Sequence, residues 1–236
     1  MVVMMYQNPI ETSEAISLLT TELKDNKFYL NYYSSHKEFS VVIDKSCKLK
    51  LGENMSLTLN SLTPATFFGI SLSSAEGECI ASIAARKDNL GGQCLGEFLK
   101  NYFARIYTSQ SGAAQLAEAI PAYAREPLFE TSYIGELWVH QDHRNLKIAR
   151  AMVKLAILLS VQMWGVGYVY AFLTARHMKV GPLQYGWTRA YQRALKWERE
   201  PTEVPGDLGF VAITGEEVAD LARLVIEELS LHTKRA

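Results

Sequence analysis

Residues 133–149 of this chain read YIGELWVHQDHRNLKIA, and this stretch decides how the rest of the sequence is interpreted. Its first seven residues have the aromatic and β-branched character of a strand, and the polar run His140 to Asn145 is typical of a turn. An apolar helical pattern follows over 146–164, and a second strand is predicted over 168–173. Two strands joined by a single crossover helix are parallel, so residues 131–175 are predicted to form a β-α-β unit.

The composition of the 236-residue chain excludes several classes of protein. The chain is 48% hydrophobic and 21% charged, which is enough apolar sequence for a buried core. Its 24 Lys and Arg residues balance 25 Asp and Glu residues, so there is no positive field to bind nucleic acid. The three cysteines are far apart, which argues against a disulfide framework and predicts a reducing, cytoplasmic location. His140 and His143 have no third ligand nearby in the sequence, so no metal site is predicted.

Two segments bear on targeting. The start MVVMMYQNP has no basic region of the kind that opens a secretory signal. Leu155 to Leu173 contains 19 residues without a formal charge, which is long enough to cross a bilayer. However, Gly165 and Gly167 interrupt it, and its character changes there from helix to strand. A buried helix followed by a buried strand explains the stretch better, so no membrane span is predicted.

The sequence before this unit predicts further strands and helices within a single domain, 1–236. Residues 1–62 are predicted to form an N-terminal helix, from Pro9 to about Lys24, followed by short strands of uncertain boundary. Two strand-like runs, 66–71 and 79–85, flank a polar turn and predict a hairpin.

Residues 91–130 interrupt the strand pattern and are predicted to be a helical insertion. Apolar residues recur every three or four positions over 95–106, and a weaker helix is predicted over 116–120. After the β-α-β unit, a strand over 210–213 precedes a final helix that opens with the capping box Thr214 to Glu217. The predicted fold class is mixed α/β (α+β), with a central mixed sheet flanked by helices.

The turn before the long helix has the residues of a phosphate-binding site. A helix N-terminus offers unpaired N–H groups and the positive end of a dipole, and Arg144, Lys147 and Arg150 add three cations. The alternative is an ordinary turn with solvated charges, and these residues alone do not decide between the two.

The series Glu136-Leu-Trp-Val139, Arg144, Lys147 and Ala149 resembles the acyl-CoA-binding motif of the GCN5-related N-acetyltransferase (GNAT) superfamily. That motif runs Val, five positions to Gln or Arg, then x-x-Gly-x-Gly/Ala. The resemblance covers residues 65–85 and 130–215. It implies a GNAT-like acyl-CoA N-acyltransferase fold, in which the insertion lies between the third and fourth core strands. It also implies acetyl-CoA or another acyl-CoA as cosubstrate.

The resemblance implies roles for particular residues. In the family, the fourth and fifth strands splay apart and the pantetheine arm lies between them. Here the N–H of Val139 would polarise the thioester carbonyl, and the N–H groups of residues 144–149 would hold the pyrophosphate. The implied cofactor-binding residues are Trp138, Val139, Arg144, Asn145, Leu146, Lys147, Ile148, Ala149 and Arg150.

Catalytic candidates follow from the same resemblance. Glu136 occupies a strand position where many family members carry a carboxylate, and it would take a proton from the acceptor amine. Otherwise it is a solvent-facing carboxylate or a salt-bridge partner. Tyr185 and Tyr191 are candidates for the acid that protonates the thiolate, and both are equally explained as core or interface residues.

Four positions depart from the family pattern. Gln141 replaces a Pro after the strand, and Asn145 replaces the first, less strict Gly. Lys147 replaces the central Gly, which lets the backbone approach the pyrophosphate closely. The usual Asn after the fifth strand is absent from residues 174–176.

Three functions stay open at this stage. The first is transfer of an acetyl or longer acyl group from acyl-CoA to a small-molecule or peptide amine in a ternary complex. A variant of it is an N-acyl amino acid or acyl-homoserine-lactone-type synthase with a longer donor, because inserted helices would lengthen or cover the acyl pocket. The second is a non-catalytic acyl-CoA sensor or partner-binding module, which the departures favour, and the third is an unrelated α/β protein. Assembly as a homodimer is also left open.

Overall fold

The computed structural model describes residues 8–48, 50–144 and 146–233. The N-terminal helix, predicted from Pro9, begins there, and Asn8 caps it by accepting from the N–H of Ile10 at 3.2 Å. The prediction that the start of the chain lacks a secretory signal concerns mainly residues 1–7, which lie outside the described residues.

In chain order the elements are α1 (Pro9–Asp25), β1 (Tyr29–Tyr33), α2 (His36–Asp44), a 3₁₀ turn (Glu53–Met55), β2 (Phe67–Ser73), β3 (Cys79–Asn89), α3 (Leu95–Ile106), β4 (Thr108–Ser109), β5 (Gly112–Ala113), β6 (Gln115–Leu116), a 3₁₀ turn (Ala122–Ala124), β7 (Glu130–Val139), a 3₁₀ turn (Gln141–His143), α4 (Leu146–Trp164), β8 (Tyr168–Leu173), α5 (Ala175–Lys179), a 3₁₀ turn (Pro182–Tyr185), β9 (Arg189–Tyr191), β10 (Trp197–Arg199), β11 (Gly209–Thr214) and α6 (Gly215–Thr233).

Seven of the described strands form one mixed sheet in the order β1-β2-β3-β7-β8-β11-β9. Its neighbours are antiparallel except for β7 and β8, which are parallel as the β-α-β prediction requires. The hairpin β2–β3 and the final strand β11 also lie where the sequence predicts them, although each extends further. The predicted fold class, a central mixed sheet flanked by helices, is confirmed.

One side of the sheet, the helical face, is covered by α1, α4 and α6, which also contact one another. The middle of α4 is almost wholly apolar, so Met152, Leu155 and Ile157 are buried against inward-facing strand residues. A hydrogen bond of 2.9 Å between Ser132 of β7 and Ser160 of α4 satisfies two hydroxyls within this core.

The other side, the aromatic face, is covered by α2, α3 and the segments around them. It carries large rings from alternate positions of the strands, including Phe67, Tyr133, Tyr170 and Phe210. Phe103 of α3 packs on this cluster, and so the insertion contributes to a second core.

The structure corrects two local predictions. The described residues of 28–62 contain one strand, β1. Val41 to Ile43 lie in α2, because Phe39 and Ile43, four residues apart, pack against the sheet with helical spacing. The weak helix predicted over 116–120 is absent from this fully described stretch, where Leu116 belongs to β6 and Pro121 precedes a 3₁₀ turn. The insertion is therefore helical only at α3; its remaining regular structure consists of short strands and one 3₁₀ turn.

Within the described residues, no helix is long and apolar enough to cross a membrane. The uncharged stretch from Leu155 is instead divided between α4 and β8, and most of its side chains are buried in the two cores.

Candidate active site

β7 and β8 pair at one end and separate at the other. Their ladder joins residues 131–133 of β7 to residues 168–170 of β8, and it covers no further pair of these fully described strands. Beyond it, β7 continues to Val139 and β8 continues to Leu173. The sheet is therefore open between the two strands, as the resemblance implies.

The backbone of Val139 faces this gap. The N–H of His140, the next residue, donates to the carbonyl of Ile80 in β3 at 2.7 Å. Because successive N–H groups of an extended strand point to opposite edges, the N–H of Val139 points away from β3 and toward β8. A donor in this position is suited to a carbonyl oxygen that lies between the strands.

A β-bulge in β7 determines where Glu136 points. Glu136 has a φ of 63°, and the register with β3 shifts at this place, between Ser82 and Ala84. The extra residue changes the alternation of the strand. As a result Leu137 packs on the helical face, while the side chain of Glu136 joins that of Tyr133 on the aromatic face.

The carboxylate of Glu136 is held by the segment between α2 and β2. Oε2 lies 2.8 Å from Nζ of Lys48, and Oε1 accepts from the N–H of Gly52 at 3.0 Å. The exposed fraction of the Glu136 side chain is only 9%. Of the non-catalytic interpretations, a salt-bridge partner is therefore the one that the geometry matches. No sequence signal pointed to these partners, because Gly52 is 84 residues away along the chain.

The turn after β7 places Arg144 at the mouth of the gap. Its Nε donates to the carbonyl of Val139 at 3.4 Å, so the exposed side chain folds back over the open edge of β7. Asn145 lies outside the described residues, and Leu146 is described only as the first residue of α4. Ile148 is buried and Ala149 packs against the core of the helical face, so neither side chain is available to a ligand.

The other two predicted cations lie on the side of α4 that faces α6. Lys147 and Arg150 line a cavity of about 580 Å³, and Arg150 donates a hydrogen bond to the side-chain oxygen of Gln184. Acidic residues form the opposite wall, and Lys154 pairs with Glu228 at 2.8 Å across it. The cavity is lined mainly by α4, α6 and the segment 183–188, with polar and charged residues Glu22, Lys147, Arg150, Lys154, Gln184, Thr188, Glu217, Asp220 and Glu228.

The two tyrosine candidates lie in different places. Tyr185 is buried beside α4 on the helical face; burial raises the pKa of its hydroxyl, and the nearby Arg150 opposes that rise. Tyr191 is on β9, which is separated from β8 by β11, and its ring stacks on Tyr123 at 4.6 Å. The structure does not bring Tyr191 to the gap. Trp138, another predicted binding residue, has its ring 6.0 Å from that of His140.

Aromatic rings fill the fork of the gap on the aromatic face. Tyr170 is fully buried, and Phe172 packs 5.5 Å from Phe103 of α3 and 6.3 Å from Tyr133, measured between ring centroids. The insertion thus supplies side chains to this region rather than an open extension of it.

A buried ion pair lies beneath these rings. Arg86 is 2% exposed and donates from Nε to Asp88 at 2.9 Å. Its guanidinium carbon lies 4.2 Å from the centre of the Tyr102 ring. Burial lowers the pKa of Arg86, but Asp88 and the neighbouring tyrosines outweigh it and raise that pKa. This pair was not predicted from the sequence, although two charges two residues apart on a strand share one face and were a usable signal.

In the described ranges, no group of three His, Cys, Asp or Glu side chains is placed to hold a metal ion. His140 and His143, the pair considered from the sequence, flank a 3₁₀ turn, and Nδ1 of His140 lies 3.6 Å from Oδ2 of Asp142.

Comparisons with known proteins give structural neighbours only. No protein-family model matches the chain, and no curated protein matches it either. Among solved structures, NAA60 of Arabidopsis thaliana with a bisubstrate analogue is similar at 10% identity and a TM-score of 0.42, over 78% of this chain and 98% of that one. Mutant forms of the spermidine/spermine N-acetyltransferase SpeG of Vibrio cholerae match at 8% identity and 0.44, over 84% and 99%. A putative acyl-CoA N-acyltransferase of Klebsiella pneumoniae matches at 12% identity and 0.40, over 79% and 97%.

The chain itself has the architecture that the sequence resemblance implies. A hairpin leads into a bulged strand, the next parallel strand diverges from it, and a basic turn opens the helix between them. These features place the protein in the class of mixed α/β folds with a GNAT-like open sheet.

Proposed function

We propose that this chain is an acyl-CoA-dependent N-acyltransferase that moves an acyl group directly to an amine in a ternary complex. The observation that carries the proposal is the gap between β7 and β8, with the N–H of Val139 directed into it. The same strand presents the Glu136 carboxylate on the aromatic face. A thioester in the gap would therefore have an oxyanion donor and a base contributed by one strand.

The cosubstrate we propose is acetyl-CoA or a similarly short acyl-CoA. The pantetheine arm would add to the free edge of β7, and the pyrophosphate would lie at the start of α4, near Arg144. Lys147 and Arg150 line the adjoining cavity, so they supply positive charge beside the start of the helix. This arrangement is how we expect the chain to tolerate the loss of the motif glycine.

The proposed reaction needs a base and an acid. The amine would lose its proton to Glu136, attack the thioester carbonyl and expel the thiolate of CoA. Tyr185, whose pKa is raised by burial, keeps its proton at neutral pH and is the remaining candidate for the acid. Tyr191 has no part in the proposal, because β11 lies between its strand and β8.

A short acyl group fits the fork of the gap better than a long one. Tyr133, Tyr170 and Phe172 occupy that region, and two of the three rings are buried. A long chain would have to displace them, at the cost of a well-packed core. The synthase with a longer donor is thus the less favoured variant.

A non-catalytic acyl-CoA sensor is the second candidate function. The observation that favours it is the pairing of Glu136 with Lys48 and Gly52, which occupies both carboxylate oxygens. Such a protein would bind the thioester and turn nothing over.

The test is a thermal-shift titration with CoA and acetyl-CoA, followed by measurement of thiol release with a panel of primary amines. A ligand at about 100 times its dissociation constant should add about 2.7 kcal/mol to the free energy of unfolding. Binding with amine-dependent thiol release would support the enzyme, and binding without it would favour the sensor. No shift with either ligand would contradict both.

A further inference from the structure

Lys48 places a primary amine beside the candidate base of the proposed reaction. It belongs to the segment between α2 and β2, which crosses the aromatic face next to the bulge of β7. Its Nζ lies 2.8 Å from Oε2 of Glu136, and the exposed fractions of the two side chains are 14% and 9%. A primary amine is therefore held in hydrogen-bond contact with the candidate base and is largely shielded from water.

The segment is anchored so that this contact persists. The N–H of Gly52 donates to the second oxygen of Glu136 at 3.0 Å. Just beyond, the carbonyl of Asn54 accepts from the guanidinium of Arg86 at 2.6 Å, and that guanidinium is buried. Both contacts follow Lys48 within a few residues and hold this part of the segment on the sheet, so the amine needs no large movement to stay beside the base.

We propose that Lys48 is itself an acyl acceptor, so that the protein acylates its own chain at this residue. The inference rests on the proposed function, because the donor is the acyl-CoA thioester in the gap. It goes beyond that function by naming an acceptor and a modification site. The chemical class of acceptor is an unbranched primary alkylamine.

The step balances without any further reactant. The Lys48 ammonium gives a proton to Glu136, and the neutral amine attacks the thioester carbonyl. A C–N bond forms as the C–S bond breaks, and CoA leaves as a thiolate. The nitrogen loses its second proton as it becomes an amide, and this proton converts the thiolate to a thiol. Glu136 releases the first proton to solvent. The products are an Nε-acyl-lysine and free CoA.

Acylation would end the ion pair that holds Lys48 in place. The product amide carries no charge, so Glu136 loses its cationic partner and becomes available to another amine. One acyl group per chain is therefore the expected limit at this position.

Lys45 and Lys50 are internal controls for this proposal. Both lie within three residues of Lys48 on the same segment, and both are exposed. Lysines of this kind react with acetyl-CoA only by chance collision in solution, whereas Lys48 is oriented beside a base.

The experiment is incubation of the full chain with acetyl-CoA, followed by peptide mass spectrometry of this segment. We expect one acetyl group on Lys48, with a rate constant that does not change with protein concentration. Orientation beside the base should make Lys48 at least about ten-fold faster than Lys50, since fixing two reactants in place gives large rate gains. Glu136→Gln should slow acetylation at Lys48 and leave the background at Lys50 as it was.

Two matched variants complete the test. Lys48→Arg keeps the positive charge beside Glu136 and should abolish the acetylated peptide, whereas Lys50→Arg should leave acetylation of Lys48 unchanged. Equal acetylation of Lys48 and Lys50, or acetylation of Lys48 that survives Glu136→Gln, would overturn the proposal.

Thermal shift with acetyl-CoA on the same samples distinguishes failure of the self-acylation from failure of the proposed function. Binding without acetylation of Lys48 contradicts the self-acylation alone. Absence of binding contradicts the proposed function, and the self-acylation falls with it.

Discussion

Glu136 and Glu130 are two carboxylates on the same strand that differ in their surroundings. Both pair with a lysine at 2.8 Å, but the Glu130 side chain is 42% exposed and that of Glu136 is 9% exposed. An exposed pair of this kind contributes little to stability, whereas a buried carboxylate destabilises the fold unless it is paired and hydrogen-bonded. Glu130 also lies at the closed end of β7, beside the ladder with β8, while Glu136 lies along the gap.

We therefore expect Glu136→Gln to lower the rate of amine acylation and to displace the pH profile toward higher pH. The amide cannot accept a proton, so the reaction would depend on amine that is already neutral. Affinity for CoA should be unchanged, because Glu136 faces away from the phosphate site. The measurement is initial rate against pH, with Glu130→Gln as the matched control on the same strand. An unaltered profile for Glu136→Gln would remove this residue from the mechanism.

Arg144→Ala should weaken CoA binding by about 1.5–3 kcal/mol, the range for a hydrogen bond to a charged group. The exposed side chain lies over the mouth of the gap, so its removal should leave the fold intact. Isothermal titration with CoA measures the effect, and Arg199→Ala, an exposed arginine on β10, is the control. If both variants bind CoA equally well, the turn after β7 is not the phosphate site.

At the scale of elements, the bulge in β7 stores a small amount of backbone strain. Glu136 has a φ of 63°, a backbone conformation that costs residues other than glycine about 1 kcal/mol. We expect Glu136→Gly to be more stable than Glu136→Ala by about that amount, because glycine adopts positive φ without penalty. Urea unfolding of both variants measures the difference.

The same pair of substitutions at Glu130 provides the comparison. Glu130 lies in the regular part of β7, where glycine weakens a strand, so the order of the two stabilities should reverse there. If Glu130→Gly is also more stable than Glu130→Ala, then the bulge does not explain the first result.

The start of α6 has a reciprocal pair of hydrogen bonds that makes stability depend on pH. Oε2 of Glu217 accepts from the N–H of Thr214 at 2.8 Å, and the N–H of Glu217 donates to Oγ1 of Thr214 at 3.4 Å, as the capping box predicts. Partial burial acts to raise the pKa of Glu217, but the hydrogen bonds from Thr214 outweigh it and lower that pKa.

A carboxyl with a lowered pKa in the folded state stabilises the fold above its ordinary pKa, and the contribution is lost as the pH falls through the lowered value. We expect Glu217→Gln to be less stable than the natural chain at neutral pH. The difference should shrink as the pH falls below about 4, near the ordinary pKa of a glutamate. Unfolding free energies from urea titrations at several pH values test this, and a difference that is constant with pH would contradict it.

For the whole molecule, the arrangement of two cores on one sheet limits the acyl donor. The helical face is packed by α1, α4 and α6, and the aromatic face is packed by α2 and α3. Because Phe103 and Phe172 close the second core near the fork of the gap, we expect the thermal shift to be largest with acetyl-CoA and not to rise with acyl length. A shift that grows from acetyl to longer chains would contradict this and would favour the synthase with a long-chain donor. Removal of the Phe103 ring should open the second core, so we expect Phe103→Ala to increase the thermal shift with a longer acyl-CoA relative to that with acetyl-CoA.

Predictions from sequence succeeded where the signal was local. The helix over 146–164, the strand over 168–173, the start of α1 at Pro9 and the capping box of α6 each depend on residues a few positions apart. They failed over 28–62, where the aromatic and β-branched residues that suggested strands belong partly to α2. There, packing of Phe39 and Ile43 against the sheet outweighs the preference of single residues for strands.

The sequence by itself therefore determined the β-α-β unit, because hydrophobic periodicity and turn residues act over short distances. Only the tertiary structure decided that the unit opens into a gap, since that depends on where the ladder between β7 and β8 ends. It also decided the surroundings of Glu136: a register shift against β3 turns the carboxylate to the aromatic face, and the approach of a distant segment places Lys48 beside it. Register and long-range contact arise from the packing of the whole chain, and so no local pattern encodes them.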